Sequence, residues 1–176
     1  GYEGVLRRAI MGFKYGGQRW MDRLLAELML ASLAGQPWFG NVGSIVPVPS
    51  HWLRRWRRGY HHVGLLGEEL ARLSGKRAVG MLRVVRRVRP QVGLDHRQRL
   101  TNIRGAFGVN RWATRPRGAV LLIDDVTTTG ATVREATGVL AGAGAGPIYV
   151  AVLAKAGPDD ARLSLTVGNA ESVGAG

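Results

Sequence analysis

The segment "VLLIDDVTTTGAT", residues 120–132, constrains the fold more than any other part of the chain. Its apolar run predicts a buried strand over residues 120–124, which ends in two adjacent carboxylates, Asp124 and Asp125. Threonines and a glycine follow, and the sequence then becomes helical in pattern over residues 130–141. A buried strand that turns directly into a helix is typical of an α/β fold.

The rest of the chain alternates between helical and strand patterns, which predicts a parallel sheet with crossover helices. Ligands of such sheets lie beyond the carboxyl ends of the strands, where the segments after Val48 and Ile123 both begin. "GAGAG" at 142–146 is predicted to be a helix stop and a loop. The predicted helices span 3–14, 18–34 (apolar face Met21, Leu24, Leu25, Leu28), 60–74 (Val63, Leu66, Leu70, Leu73, with a stop at Gly75) and 130–141; the strands span 44–49, 81–87, 120–124 and 148–154; a helical turn is expected at 95–103.

Composition narrows the class of protein. With 176 residues, 45% of them apolar and 21% charged, the chain is predicted to form one globular domain. Cysteine is absent, which excludes disulfides, zinc ribbons and thiol chemistry within this sequence. Neither a membrane-spanning run nor a signal-peptide pattern is visible, so a cytoplasmic location is expected, although the sequence does not begin with methionine.

The charge is strongly positive and comes from arginine. Lysine and arginine number 25 against 12 acids, for a formal net charge of +13, and only Lys14, Lys76 and Lys155 are lysines. Arginine binds phosphate through two donors at once, which favours a polyanionic partner or a polyphosphate substrate. A compositional bias toward arginine explains the excess equally well, and the sequence leaves both explanations open.

The residues after the strand suit a phosphorylated sugar. Backbone N–H groups at the start of the helix and the threonine hydroxyls are phosphate donors, and Gly130 lets the backbone approach closely. Asp124 and Asp125 suit the two hydroxyls of a ribose, directly or through Mg²⁺. The alternative is structural: a strand capped by aspartate and a helix capped by a Thr132–Glu135 capping box. Neither a Walker A loop nor a dinucleotide fingerprint occurs.

"VLLIDDVTTTGAT" resembles the phosphoribosyl-pyrophosphate (PRPP) motif of type I phosphoribosyltransferases. Together with "FKYGG" (13–17), "IVPVPSHWLRRWRRGYHH" (45–62) and "QVGLDHRQRLTNIRGAF" (91–107), it resembles the competence protein F (ComF) family over roughly residues 2–156. The resemblance implies the type I phosphoribosyltransferase fold, with a central, mostly parallel sheet flanked by helices and an N-terminal helical hood. The domain would then span residues 1–157, with the hood at 1–40 and the core at 41–157, and residues 158–176 would be a flexible tail.

The resemblance also implies roles for particular residues. Asp124 and Asp125 would be the catalytic pair that holds the ribose hydroxyls and Mg²⁺. The segment 88–104 would be the mobile loop that closes over the site and excludes water. The acceptor would be selected by the hood, with Lys14 and Tyr15 as its nearest residues. The PRPP site would comprise Asp124, Asp125, Thr127, Thr128, Thr129, Gly130, Ala131 and Thr132; the pyrophosphate loop Ser50, His51, Arg54 and Arg58; the mobile-loop ligands Arg87, Arg89, Gln91 and Arg97.

Two departures from the family pattern bear on function. Typical members carry an N-terminal four-cysteine zinc module, whereas this sequence has no cysteine. The usual "RGFNQ" reads "RGYHH" at residues 58–62, which leaves the role of the Asn-Gln pair open. "VTTTG" preserves the common pattern after the acids.

The segment "HWLRRWRRGYHH", residues 51–62, combines arginines with aromatic rings. Exposed rings beside arginines can bind single-stranded DNA, with Trp52, Arg55, Trp56 and Arg57 as the contacts. Alternatively, the tryptophans belong to the core and the arginines are solvated. Two functions are therefore expected: transfer of phosphoribosyl from PRPP to an unknown acceptor, or a non-catalytic single-stranded DNA-binding module of DNA import that works with competence-machinery proteins.

Overall fold

The structure is a computed structural model that describes residues 19–49, 62–86, 88, 101–127, 130–155 and 166–169. The helices are α1 (Arg19–Ala34), α2 (His62–Ser74) and α3 (Ala131–Gly142), with a short 3₁₀ turn at Phe39–Asn41. The strands are β1 (Val42–Pro47), β2 (Arg77–Ala78), β3 (Leu82–Val84), β4 (Phe107–Val109), β5 (Ala119–Thr127), β6 (Ile148–Lys155) and β7 (Thr166–Asn169).

Five strands form the central sheet in the order β2-β1-β5-β6-β7. The pairs β1–β2, β1–β5 and β5–β6 are parallel, and β7 adds to β6 in the antiparallel sense. Parallel neighbouring strands need a crossover connection, usually a helix. Along the chain, α2 connects β1 to β2, and α3 connects β5 to β6. This is the α/β fold with a mostly parallel sheet that the sequence predicts.

The two faces of the sheet have separate cores. Leu121 and Ile123 of β5 pack with α1 and α2 in one cluster. Val120 and Leu122 pack on the other face with α3 and with the antiparallel pair of β3 and β4. Strand β5 is therefore covered on both sides, which explains its continuous apolar run.

Helix α1 confirms the predicted span, but its buried face differs from the predicted one. Leu28 keeps 39% of its surface exposed, so its assignment to the apolar face is wrong. The large buried side chains of this helix recur every four residues, and Leu28 lies outside this stripe. They are Met21, Leu25, Met29 and Leu33.

Helix α2 confirms both its predicted face and its predicted stop. Val63, Leu66 and Leu70 are buried. Gly75 has φ +68°, and the N–H of Lys76 donates to the carbonyl of Ala71 at 3.0 Å, which closes the last turn.

Strand β5 is longer than predicted. It continues past the acids to Thr127, because Val126 and Thr127 pair with Ala154 and Lys155 of β6. The aspartates therefore lie within the strand and do not end it. The predicted β1 likewise shifts, from residues 44–49 to Val42–Pro47.

The predicted strand over 81–87 is mostly wrong. Of the described residues 81–86, only Leu82–Val84 forms a strand, and it pairs with β4 in a separate two-stranded antiparallel sheet. Val85 and Arg86 are exposed beyond its end. The mixture of arginine and valine cannot bury one face over seven residues, so the strand stops where its apolar contacts do.

Residues 166–169 were expected within a flexible tail, and for these four the expectation is wrong. They form β7 on the edge of the central sheet, with Val150 opposite Gly168 and Val152 opposite Thr166. The alternation in "LSLTV", residues 163–167, is the strand signal that this expectation overlooked. The helix predicted at 3–14 lies outside the described residues. Within the described part, none of the helices combines the length and apolarity needed to cross a membrane.

Candidate active site at the carboxyl edge of the sheet

The two acids lie near the carboxyl end of β5, the middle strand of the sheet. Side chains alternate along a strand, so Asp124 follows Val120 and Leu122 onto the α3 face, while Asp125 points to the opposite face. Asp124 retains only 7% exposure, whereas Asp125 is half-buried. The backbone N–H of Asp125 donates to Oδ1 of Asp124 at 2.8 Å, which orients the buried carboxylate.

Strand β1 ends beside these acids. The N–H of Val48 donates to the carbonyl of Ile123 at 2.9 Å, one residue before Asp124. The chain therefore leaves β1 next to the carboxylates and enters the segment predicted as the pyrophosphate loop. That segment begins at Ser50, outside the described residues.

The start of α3 lies at the same edge. Gly130 is its N-cap with φ +69°, a left-handed conformation that favours glycine, and the cap residue itself offers no side chain to the helix. Its carbonyl accepts from the N–H of Arg134 at 2.8 Å. Ala131 is buried and Thr132 half-buried in the first turn. The positive end of the helix dipole therefore points toward the acidic edge.

The structural alternative for this helix, a Thr132–Glu135 capping box, is not formed. Thr132 is the second helical residue and not the cap. The Glu135 carboxylate instead accepts from the backbone N–H of Gly105, with 2.7 Å between Oε1 and the nitrogen. This contact joins α3 to the chain just before β4.

A shallow depression of about 190 Å³ lies beside the first turns of α3. Its lining includes two exposed arginines, Arg104 and Arg134, that the sequence did not single out. The contact between Gly105 and Glu135, thirty residues apart in the sequence, helps to bring them together. No local pattern signals such a pairing.

Arg86 connects the two ends of the segment 88–104, which is predicted to be the mobile loop. Its Nη2 donates to the carbonyl of Asn102 at 2.7 Å and also to that of Arg104. The N–H of Val85 donates to the carbonyl of Ala106 at 2.8 Å. The two ends of this segment are therefore held side by side. Arg86 is a third arginine whose role the sequence did not indicate.

The structure brings together Asp124, Asp125, Gly130, Ala131 and Thr132 from the predicted site, and it includes the backbone of Thr127. The other predicted residues lie outside the described ones. They are Lys14, Tyr15, Ser50, His51, Trp52, Arg54, Arg55, Trp56, Arg57, Arg58, Arg87, Arg89, Gln91, Arg97, Thr128 and Thr129.

The acids present fit Mg²⁺ better than a metal that needs a full protein cage. In the described ranges, no group of three or more histidines and acids gathers at one point. Mg²⁺ in phosphate-handling sites usually takes one or two carboxylates and completes its shell with water and substrate oxygens. Asp124 and Asp125 each offer such a carboxylate, on opposite faces of β5.

Comparison with known proteins agrees with this architecture. No family model matches the chain. The chain is 34% identical to competence protein F of Haemophilus influenzae over 152 residues, which cover 84% of this chain and 66% of that protein. It thus spans about two thirds of that relative's length.

A solved structure, "Structure of the allosteric regulatory enzyme of purine biosynthesis", superimposes with a TM-score of 0.51 at 18% identity. The match covers 81% of this chain and 30% of that one, and at such low identity the likeness concerns the fold alone. That neighbour has the phosphoribosyltransferase fold. The chain belongs to the competence protein F family and folds as a type I phosphoribosyltransferase-like α/β domain.

Proposed function

We propose that the chain binds PRPP with Mg²⁺ at the carboxyl edge of β5 and transfers its phosphoribosyl group to an acceptor with release of pyrophosphate. The observation that carries the proposal is the buried Asp124, held near the carboxyl end of the central strand, six residues before the Gly130 turn. Burial of a carboxylate is costly and adds nothing to a core that is already apolar. A ligand that needs the carboxylate explains its position.

The adjacent acids have different tasks in this proposal. Asp124 lies on the α3 face, the side from which a phosphate at the helix N-terminus would present its ribose. Asp125 lies on the opposite side of the strand and is more exposed, which suits contact with solvent-coordinated Mg²⁺. When bound, Mg²⁺ would neutralise charge on the pyrophosphate oxygens.

The 5′-phosphate would bind at the start of α3. Gly130 allows close backbone approach, and Thr132 adds a hydroxyl in the first turn. Thr128 and Thr129 complete the expected donors. Backbone N–H groups at a helix N-terminus favour an anion through both hydrogen bonds and the dipole.

Transfer breaks the bond between the sugar C1 and the pyrophosphate oxygen and forms a bond from C1 to the acceptor. Both bonding electrons leave with pyrophosphate, and the acceptor loses a proton. This needs positioning and charge stabilisation, which the chain's acids and amides supply, and no covalent nucleophile.

The test is titration calorimetry of PRPP in Mg²⁺ buffer, followed by a pyrophosphate-release assay with a panel of bases. We expect Asp124→Asn and Asp125→Asn each to weaken PRPP binding at least about tenfold, the loss of one charge-assisted contact. Glu27→Gln is the matched control, because it removes an exposed carboxylate from α1. Equal binding by all four proteins would disprove the proposal.

A second candidate function is single-stranded DNA binding in DNA import, without turnover. Two observations favour it: the formal net charge of +13 and the name of the competence relative. We expect affinity for single strands that falls steeply with salt, because released counterions drive such binding. Trp52→Ala or Arg55→Ala should weaken it if the segment 51–62 contributes, and a shallow salt dependence would contradict the candidate. Competence-machinery proteins would be the partners in either case.

A further inference from the structure

The loop between β4 and β5, residues 110–118, presents a fully exposed tryptophan. Trp112 keeps 96% of its surface exposed, against 48% and 39% for Val85 and Leu28, the other large exposed apolar side chains in the described ranges. Tryptophan is usually mostly buried. In contrast, Trp38 stacks on Tyr149, with ring centroids 4.0 Å apart. The exposure of Trp112 therefore needs a separate explanation.

The beginning of the loop is fixed, and this fixes where Trp112 projects. The side chain of Asn110 accepts from the N–H of Trp112 at 3.2 Å, and its Nδ2 donates to the carbonyl of Gly80 at 3.1 Å. The N–H of Asn110 donates to the carbonyl of Met81 at 2.7 Å. Ala113 packs on the core of the α3 face. The indole therefore stands on an anchored turn.

The end of the loop is fixed as well. Ser44 Oγ accepts from the N–H of Arg117 at 2.8 Å and donates to its carbonyl at 3.2 Å. Gly118 has φ +62° and bridges to Val42. A preorganised loop of this kind binds a ligand with little loss of conformational freedom.

The charged residues of the loop around Trp112 are all basic. Arg111, Arg115 and Arg117 are exposed, and none of them forms an ion pair with another described residue. Arg83 Nε donates to the carbonyl of Val109 at 3.1 Å, which brings a fourth guanidinium to the start of the loop. The sequence carries no acid between Asp95 and Asp124. Nothing in the loop itself neutralises these cations.

This surface is separate from the proposed PRPP site. The loop enters β5 at Ala119, the amino end of the strand, whereas the acids lie near its carboxyl end. Five residues of strand separate Ala119 from Asp124, a distance of about 17 Å at 3.3–3.4 Å per residue. A ligand on the loop therefore does not reach the acids by local contact.

We propose that the loop 110–118 is a binding platform for single-stranded nucleic acid, with a base stacked on Trp112 and phosphates on Arg111, Arg115 and Arg117. Stacking on an exposed ring beside cations is the common chemistry of single-strand binding, and a duplex keeps its base faces covered. The inference rests on the second proposed function and gives it a surface outside residues 51–62; it is independent of PRPP transfer.

The experiment is fluorescence anisotropy of a labelled oligothymidylate of about 12 nucleotides with the full 176-residue chain. We expect Trp112→Ala to weaken binding about 5- to 100-fold, the loss of one stacked base, and Trp112→Phe to restore most of it. Arg115→Gln should reduce the salt slope, d log K/d log [salt], by about 0.7 in magnitude.

Matched controls separate the surface from total charge and folding. Arg23→Gln removes one exposed cation from α1, and Leu28→Ala removes an exposed apolar side chain from the same helix; neither should change the affinity. The unfolding midpoint of Trp112→Ala should match the wild type, because an exposed side chain contributes little packing.

Three outcomes overturn the inference, and they are distinguishable. Wild-type protein that binds no oligonucleotide removes the second proposed function together with this surface. Tight binding that is unchanged in Trp112→Ala and Arg115→Gln removes the surface alone. Displacement by polyglutamate as effective as displacement by the oligonucleotide, or equal affinity for duplex, shows a general polyanion site, for example for an acidic protein. PRPP binding by calorimetry is scored separately in each case.

Discussion

Two buried polar side chains, Asp124 and Ser44, lie at opposite ends of the central sheet. Asp124 is 7% exposed at the carboxyl edge, and the N–H of Asp125 offsets part of the cost of its burial. Ser44 is 1% exposed near the amino end of β1 and uses its hydroxyl to hold both backbone groups of Arg117. Ser44 is buried because it holds a loop, and for Asp124 we propose a ligand.

Gly43 shows how closely that loop approaches β1. A Cβ at this position would lie nearer to the Arg117 carbonyl oxygen than any real Cβ contact allows, and that neighbour is backbone and cannot rotate away. We therefore expect Gly43→Ala to lower the free energy of unfolding by about 1–3 kcal/mol. Urea unfolding measures the change.

The control for this substitution is Gly40→Ala, because a Cβ at Gly40 would meet nothing within 4 Å. Its free energy of unfolding should stay within about 0.5 kcal/mol of the wild type. Equal stability of Gly43→Ala and the wild type would show that the loop is not held against β1. Gly43→Ala should also weaken oligonucleotide binding if the anchored loop is the platform.

At the scale of elements, the sequence predicted what depends on local periodicity. The sequence predicted three helices and two central strands, because amphipathic periodicity and apolar runs are properties of short stretches of sequence. These elements are α1, α2, α3, β5 and β6. Strands β2 and β4 were not predicted. They have two and three residues, too few for a pattern, and they form because a neighbour such as Ile45 or Leu82 is already in place.

The same difference between local patterns and long-range contacts applies to the candidate site. Asp124, Asp125 and the Gly130 turn lie within seven consecutive residues, so one segment of sequence was enough to predict that they form a candidate site. The capping box considered as the alternative for Glu135 is not formed, because this carboxylate accepts from Gly105, thirty residues away, a contact that no local pattern indicates. Trp112 was overlooked because exposure is a property of the folded chain: "NRWATRPRG" reads like the earlier segment 51–62 but gives no sign of which ring faces solvent.

At the scale of the whole molecule, the central strand β5 separates a pair of carboxylates from a basic loop. The carboxyl ends of the parallel strands hold Asp124 and Asp125, and the loop before β5 holds Trp112 with its arginines at the other end. A net charge of +13 is thus compatible with a carboxylate site, because the arginines of the loop 110–118 lie at the opposite end of β5 from the two acids.

This separation predicts how the two proposed ligands, PRPP and single-stranded nucleic acid, affect each other's binding. The Debye length is about 8 Å at 0.15 M salt and about 30 Å at 0.01 M, against about 17 Å of strand between the two ends. We therefore expect saturating PRPP and Mg²⁺ to leave oligonucleotide affinity within about twofold at 0.15 M. At 0.01 M, the added negative charge should weaken oligonucleotide binding measurably. Anisotropy titrations with and without PRPP at both salt concentrations measure this.

The reciprocal titration is the control for this prediction. Any factor by which PRPP changes oligonucleotide affinity must appear as the same factor in PRPP affinity when the oligonucleotide is saturating. The Asp124→Asn variant, which should not bind PRPP tightly, should show no shift at either salt concentration. A change of tenfold or more at 0.15 M in the wild type, absent in that variant, would contradict independent ends. It would mean that the sheet transmits binding from one edge to the other, or that the oligonucleotide also reaches the acids.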